Sequence, residues 1–316
     1  MDKRQSFLRH LPGVLAAASM LTATMTAYAA SEIVVYSARN EQLIKPLFDA
    51  YTKETGTTIK FLTDKEGALL QKLKAEGANT PADLLITADA GNLWQATRLG
   101  LLQPVRSKAL SDNIPAHLRD PANQWFGLSV RARTIVYNKD KVQASALSTY
   151  EDLGNPKWKG RLCLRTSKSV YNQSLVAMML HEYGDSKTEQ IVKSWVDNLA
   201  TSPMSDDTRA MNAVAAGQCD VTVVNTYYFG GLMKKSPSLP LAIFWPNQNV
   251  KDSGVHVNIS GAGVTRYARH QAEAVKFLEW LSSVKAQNLF ADINMEFPVN
   301  LGVKPDPAVA AWGGFK

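Results

Sequence analysis

Cysteine, histidine and long apolar runs are all scarce in this 316-residue chain, and each scarcity closes off a class of protein. The two cysteines, Cys163 and Cys219, have no second Cys or His at metal-ligand spacing, which argues against a zinc site. An even pair permits a disulfide in an oxidising compartment. That requires the short apolar runs holding them, Arg161–Arg165 and Gln218–Val224, to lie side by side in one sheet. Of five histidines, His10 belongs to the leader, while His117, His181, His256 and His270 fall in unrelated loops and helices. There is no Gly-x-Ser-x-Gly, no His-Glu-x-x-His and no P-loop, so no acid/base or nucleophile set argues for an enzyme. Gly261-Ala262-Gly263 lacks the third glycine and the following βαβ unit of a dinucleotide fingerprint. Basic residues are scattered, without a Lys/Arg run or aromatic interleaving, which speaks against a nucleic-acid partner. After the leader, no stretch reaches the roughly 18–20 apolar residues that a membrane span needs. Internal repeats and low-complexity segments are also missing.

What is present starts with that leader. Lys3, Arg4 and Arg9 precede the mostly apolar or small stretch Leu11–Met25, and Ala27-Tyr28-Ala29 is a small-x-small cleavage site. A twin-arginine pair is lacking, so general secretion is expected to remove residues 1–30 and leave a soluble, exported product. The net charge then falls from +7 to +5, a mild positive balance that suits an anionic ligand or co-ligand and equally an ordinary soluble surface.

A chain of this length is expected to form two lobes rather than one small core. Strand and helix patterns alternate, which predicts an α/β fold. Strands are expected at Glu32–Tyr36, Thr58–Leu62 and Ala82–Thr87, and helices at Glu41–Thr55, Ala68–Ala75 and Leu93–Leu99. The long strand Gly127–Tyr137 then crosses to a second lobe, carrying Arg131 and Arg133 on one face. That lobe is read as helices near Thr149–Leu153, Ser174–Glu182, Thr188–Leu199 and Thr208–Ala216, with the two cysteine-bearing strands. Val255–Val264 crosses back, followed by helices at Gln271–Ser282 and Ala286–Asp292. The expected lobes are 31–130 plus 260–300 and 131–259, with 301–316 packing on them as a tail. Two crossover strands make the second lobe an insertion in the first, with a cleft between.

The apolar run Val221–Val224 stops at Asn225-Thr226-Tyr227-Tyr228-Phe229-Gly230-Gly231. Neighbouring side chains on a regular strand point to opposite faces, so the two phenols can share a site only where the strand has ended. In open α/β sheets ligands sit beyond the carboxyl ends of strands. There the first strand delivers Arg39 and Asn40, the third Ala88 and Asp89, and the Cys163 strand delivers Thr166, Ser167, Ser169 and Tyr171. Phenolate oxygen is a hard ligand, and a metal's charge lowers the phenol pKa enough to deprotonate it on binding. Three phenolates would neutralise Fe3+, and a small anion such as carbonate could complete the coordination on Arg39, Arg131 and the helix start at Tyr171. Other readings stay open at this point. Tyr171 could pack at a helix start, Arg39 could pair with a carboxylate, and the Ser/Thr cluster could be an ordinary N-cap.

Spaced along the chain in order are Val35-Tyr36-Ser37-Ala38-Arg39, Thr80-Pro81-Ala82-Asp83, Arg131-Ala132-Arg133 and Ser169-Val170-Tyr171-Asn172-Gln173-Ser174-Leu175. They continue with Cys219-Asp220, Asn225-Thr226-Tyr227-Tyr228, Asn258-Ile259-Ser260-Gly261 and Glu296-Phe297-Pro298-Val299. From Ile33 to about Gly314 the chain thereby resembles the periplasmic ferric-iron-binding proteins of bacterial iron ABC transporters. The resemblance implies a bilobal type II periplasmic-binding-protein fold and a monomer that closes on Fe3+ in the periplasm and hands it to an inner-membrane ABC permease. It also implies Tyr227 and Tyr228 as metal ligands, Tyr171 as a third in the tyrosine-rich branch, and Arg39 and Arg131 as holders of a carbonate-type anion. Asn40, Ser167 and Ser169 complete the expected anion site. Departures are Asn40 where one branch has histidine, Glu41 where others add tyrosine, and Ala88 where another has glutamate. A binding protein for another small anionic or cationic solute is the alternative, and an enzyme on the same bilobal fold is a more distant one.

Overall fold

The computed structural model describes residues 31–316, so the expected leader, 1–30, lies outside the described residues. Nine strands join into one sheet, ordered β2-β1-β3-β8-β4-β6-β5, with β7 and β9 also pairing β4. The strands are β1 (Glu32–Ser37), β2 (Thr58–Thr63), β3 (Leu84–Thr87), β4 (Phe126–Asn138) and β5 (Leu162–Cys163), then β6 (Val221–Asn225), β7 (Leu241–Phe244), β8 (His256–Val264) and β9 (Phe297–Pro298). Helices α1 (Glu41–Thr55), α2 (Glu66–Glu76), α3 (Ala90–Arg98) and α4 (Lys108–Asn113) precede β4. Between β5 and β7 come α5 (Val170–Tyr183), α6 (Asp185–Asp197), α7 (Asp207–Ala215) and α8 (Thr226–Lys235), and after β8 come α9 (Gln271–Ser282), α10 (Val284–Asn294) and α11 (Pro307–Ala310).

Two strands tie the halves together. At about 3.4 Å per residue, the 13 residues of β4 span ~44 Å, enough to run through both lobes. β8 runs antiparallel beside it, from Phe126↔Ala262 to Arg133↔His256. On one side of this pair, β1, β3 and the helices α1 and α9 enclose a core around Ile33, Ile44, Phe48, Phe277 and Leu281. On the other, Ile135, Trp158, Leu175, Trp195 and Val221 form a separate core. Helix α1 shows why the local pattern suffices here. Ile44, Leu47, Phe48 and Tyr51 recur at helical spacing and are buried, and Gly56 ends the helix at φ 75°.

Several expectations need correction. The strand expected at Arg161–Arg165 is only Leu162–Cys163, paired with Val221 and Thr222, because the chain leaves the ladder before its next bridge, Arg165↔Met204. The helix expected near Thr149–Leu153 is a single 3-10 turn, Glu151–Gly154. α5 starts four residues earlier than expected, at Val170, so Tyr171 lies in its first turn rather than ahead of it. The tyrosine pair stands in the first turn of α8, which runs on through both glycines. Glycine costs a helix about 1 kcal/mol relative to alanine, and the sequence reading places no helix directly beyond the strand that ends at the tyrosine pair. Packing overrides that cost, since a Cβ on Gly230 would come within 2.9 Å of Met295 and 3.0 Å of the Trp312 ring. A similar close approach explains Gly261, whose Cβ would sit 2.6 Å from the Phe126 carbonyl oxygen.

β5 and β6 are parallel neighbours, and Cys163 and Cys219 are joined across them with Cα atoms 5.9 Å apart. The bridge closes a loop with a sequence separation of 56 residues, for which chain entropy gives about 4 kcal/mol of stabilisation. Replacing both cysteines by alanine should therefore lower the melting temperature of the full chain by many degrees. Thermal unfolding followed by circular dichroism checks this, and an unchanged midpoint would refute it.

Candidate functional site

Strand β6 ends at Asn225, and α8 turns away from the sheet so that Tyr227 and Tyr228 project from its first turn. Consecutive residues on a helix lie about 100° apart rather than on opposite faces, which resolves how neighbouring phenols share one site. Their ring centroids are 4.2 Å apart at 34°. From the first turn of α5, Tyr171 brings its hydroxyl to 3.2 Å from that of Tyr227. Three phenols thus converge from two helix N-termini of the second lobe, each held at the carboxyl end of the sheet.

Below them the scaffold is a buried polar network. The Arg133 guanidinium donates to Asp207 Oδ2 at 3.0 Å, to Asn225 Oδ1 at 3.1 Å and to Asn172 Oδ1 at 2.6 Å. Asp207 Oδ2 also accepts the Asn225 backbone N–H at 2.8 Å. One arginine therefore fixes β6, α5 and α7 relative to one another, and with them both tyrosine-bearing turns. A buried pair of this kind is strongly destabilising to break from one side.

Cavity walls come from both lobes. Tyr171, Tyr227, Tyr228, Arg39, Arg131 and Asn40 all line one hollow of about 200 Å3. A water's share of liquid volume is about 30 Å3, so a metal ion and a small anion fit. Ser167 and Ser169 do not reach this wall. Ser167 is exposed and borders a different, apolar hollow, whereas Ser169 is buried at the N-cap of α5 with no partner for its hydroxyl. A larger hollow of about 610 Å3 beside Met204 and Gln218 presents a single charged side chain, Arg209.

The two expected anion arginines differ. Arg39 is buried and paired, its Nη1 and Nη2 donating to both Glu296 oxygens at 3.2 and 3.0 Å and Nη1 also to Ser260 Oγ. Burial opposes its charge, but Glu296 more than offsets this and raises its pKa. Arg131 Nη1 lies 3.5 Å from Ser260 Oγ, and its buried Nη2 has no hydrogen-bond partner among the described residues. Its Cζ stands 5.5 Å from the Tyr171 ring centre, the range of a cation–π contact.

Three wall residues escaped the sequence reading. Arg165 lines the cavity 5.1 Å from the Tyr171 ring centre and 3.5 Å from Asp207 Oδ1. It lies at the carboxyl end of the Cys163 strand, so the strand-end rule could have found it. Ser260 and Glu296 are reached only through the fold. From the first lobe, Glu66 Oε1 accepts the Ala88 N–H at 3.0 Å. Burial first, then Asp89, push that carboxyl up to about 7, against the lowering effects of the Ala88 N–H and Arg131.

Burial is also the largest influence on the phenols. It pushes Tyr171 up to about 12, with Tyr228 adding and Arg131 opposing. Tyr227 is raised well above the ordinary value by burial and then by the neighbouring phenols. Without a cation Tyr171 and Tyr227 are therefore neutral, and a hard, highly charged ion is what would ionise them. Among the described residues, no three His, Cys, Asp or Glu side chains converge as a rival metal site, and no helix is long and apolar enough to cross a membrane.

A two-lobed α/β molecule with a polar cleft at its strand ends is the architecture of solute-binding proteins, and the family comparison agrees. Residues 46–316 match the model for bacterial extracellular solute-binding proteins, and the chain belongs to that family. It is similar to iron uptake protein A1 of Synechocystis sp., with 43% identity over 291 residues, 90% of this chain and 80% of the relative. The Fe(3+)-binding periplasmic protein of Serratia marcescens is 29% identical over 302 residues, 94% of this chain and 88% of that one. Among solved structures, a Trichodesmium protein (IdiA, FutA) in complex with iron and citrate ligands superposes with a TM-score of 0.84 at 44% identity, covering 90% of this chain and 92% of that one. That likeness shows the bilobal type II fold.

Proposed function

We propose that this protein binds Fe3+ in the periplasm and delivers it to an ABC-type inner-membrane permease, acting as a monomer without catalytic chemistry or a nucleic-acid partner. The observation that carries this reading is the 3.2 Å approach of the Tyr171 and Tyr227 hydroxyls, with Tyr228 stacked alongside, in a cavity faced by Arg131. Neutral phenols alone would gain little from such crowding; a trivalent cation turns them into three hard anionic ligands whose charges match its own. The names of the Synechocystis and Serratia relatives support iron as the cargo.

A small anion such as carbonate completes the coordination. The unpartnered Arg131 Nη2 is its main anchor, Arg39 and Asn40 lie at the edge of the same cavity, and Ser167 and Ser169 drop out of the set. The citrate in the Trichodesmium complex is consistent with a carboxylate or carbonate beside the metal. Export through cleavage of residues 1–30 belongs to the same reading.

Adding Fe3+ to the metal-free protein should produce a visible tyrosinate charge-transfer band that strengthens or shifts when bicarbonate is supplied. A colourless mixture, with iron still removable on a desalting column, would overturn the proposal.

A further inference from the structure

All three phenols come from the second lobe, so a metal held by them does not by itself tie the lobes together. Besides the packing of Gly230 on Met295, a carboxylate makes a side-chain hydrogen bond across the cleft. Asp89, fully buried at the end of β3, accepts the Ser174 hydroxyl at 2.8 Å through Oδ2. The same oxygen accepts Asn258 Nδ2 at 2.7 Å, and Oδ1 accepts the Gly91 N–H at 2.8 Å. Asn258, on β8, is itself fixed, since its Oδ1 accepts the backbone N–H groups of Ala90 at 3.0 Å and Ile259 at 2.8 Å. Asp89 is thus locked to the first lobe and to the connecting strand, and Ser174 is the one partner that belongs to the second lobe.

Ser174 lies three residues after Tyr171 on α5, so the two share a helix face one turn apart. The bond to Asp89 ties the same helix that presents the phenol, whose first turn Arg133 fixes within the second lobe, to the first lobe. Among the described residues, apart from the bonds that the C-terminal tail makes to Trp245 and to the 248–252 segment of the second lobe, no other side-chain hydrogen bond or ion pair joins the lobes away from β4 and β8.

We propose that Asp89 and Ser174 form an interlobe latch, in which Asp89 holds α5 against the first lobe and keeps the cleft shut over the bound metal. Neither residue touches the metal; both act through α5. The role deepens the iron-binding reading and rests on it for its effect on release, although the closure itself does not require metal. Opening the cleft exchanges the Ser174 hydroxyl for water at a buried carboxylate. A hydrogen bond to a charged group is worth enough to shift the closed-to-open ratio by about tenfold or more.

The test compares the wild-type chain with Ser174→Ala and Ser174→Thr, the latter keeping the hydroxyl. Small-angle X-ray scattering of the metal-free proteins reads closure, and decay of the charge-transfer band in excess chelator reads the Fe3+ release rate. The latch predicts a larger radius of gyration for Ser174→Ala and release about tenfold faster, with the band position unchanged. Ser174→Thr should restore both towards wild type. The latch is overturned if Ser174→Ala leaves radius and release unaltered, or if Ser174→Thr behaves as Ser174→Ala does. Should the wild-type chain take up no iron, the functional reading falls, while the metal-free radii still decide the latch.

Discussion

Replacing Tyr227 with phenylalanine should cost this protein more iron affinity than any other single-atom change. Tyr227 stands between its two neighbours, its hydroxyl 3.2 Å from that of Tyr171 and its ring 4.2 Å from that of Tyr228. Loss of a mere outer-shell partner costs a metal site about 10–100-fold, and removal of a directly bound phenolate should exceed the upper end of that range. The band should weaken and shift as one Fe–phenolate pair is lost. Stability should barely change, because the ring and its stacking remain and the removed hydroxyl satisfies no backbone group. Competition titration against a chelator measures the affinity. Tyr267→Phe is the control, since that residue is 46% exposed and does not line the cavity. Equal affinities for the two variants would remove Tyr227 from the ligand set.

The second large effect is on acidity. With Tyr171 pushed up to about 12 and Tyr227 well above its ordinary value, these two phenols are protonated throughout the neutral range in the absence of metal. Each phenol that binds Fe3+ must release its proton, so protons compete with the metal. Affinity therefore rises with pH and falls on acidification. Release of three protons makes the affinity for free Fe3+ change about a thousandfold per pH unit. Proton release on loading, counted with an indicator in weak buffer, should be close to three in the wild type and one fewer in Tyr171→Phe. The same count in both proteins would show that Tyr171 stays protonated, and would reduce the ligand set to the tandem pair.

These two expectations draw on different layers of information. The type of chemistry was readable from residues: tandem phenols after a β-branched run, with arginines on a neighbouring strand and no competing Cys or His cluster. Their place just beyond the strand end was readable too, but the helix that carries them was not. No helix was expected at Gly230 and Gly231, where helix propensity penalises glycine. The structure has a helix there because Met295 and Trp312 pack where a side chain would otherwise stand. Tyr171 was expected ahead of its helix and lies within it, which turns its hydroxyl onto Tyr227.

The arginines separate in the same way. Strand alternation put Arg131 and Arg133 on one face, and both border one narrow crevice together with Tyr171, Asn225 and His256. Their partners differ, however. Asp207 and Asn225 engage Arg133, Glu296 engages Arg39, and Arg131 keeps a free N–H. Arg39 thus follows the alternative in which it meets a carboxylate, one that lies 257 residues away in the chain.

Local order is what the residues encode most directly. α1 from Glu41 to Thr55 with its stop at Gly56, α9 from Gln271 to Ser282, and the two long crossover strands follow from apolar period and capping chemistry within a few neighbouring residues. Period says which face of an element is buried, but not what it is buried against. Tyr171 meeting Tyr227, Arg39 meeting Glu296 and Ser174 meeting Asp89 are contacts between segments 56, 257 and 85 residues apart. Each depends on how two lobes dock about β4 and β8, and only the folded chain fixes that docking, because burial, charge pairing and hydrogen bonding must all be met there at once.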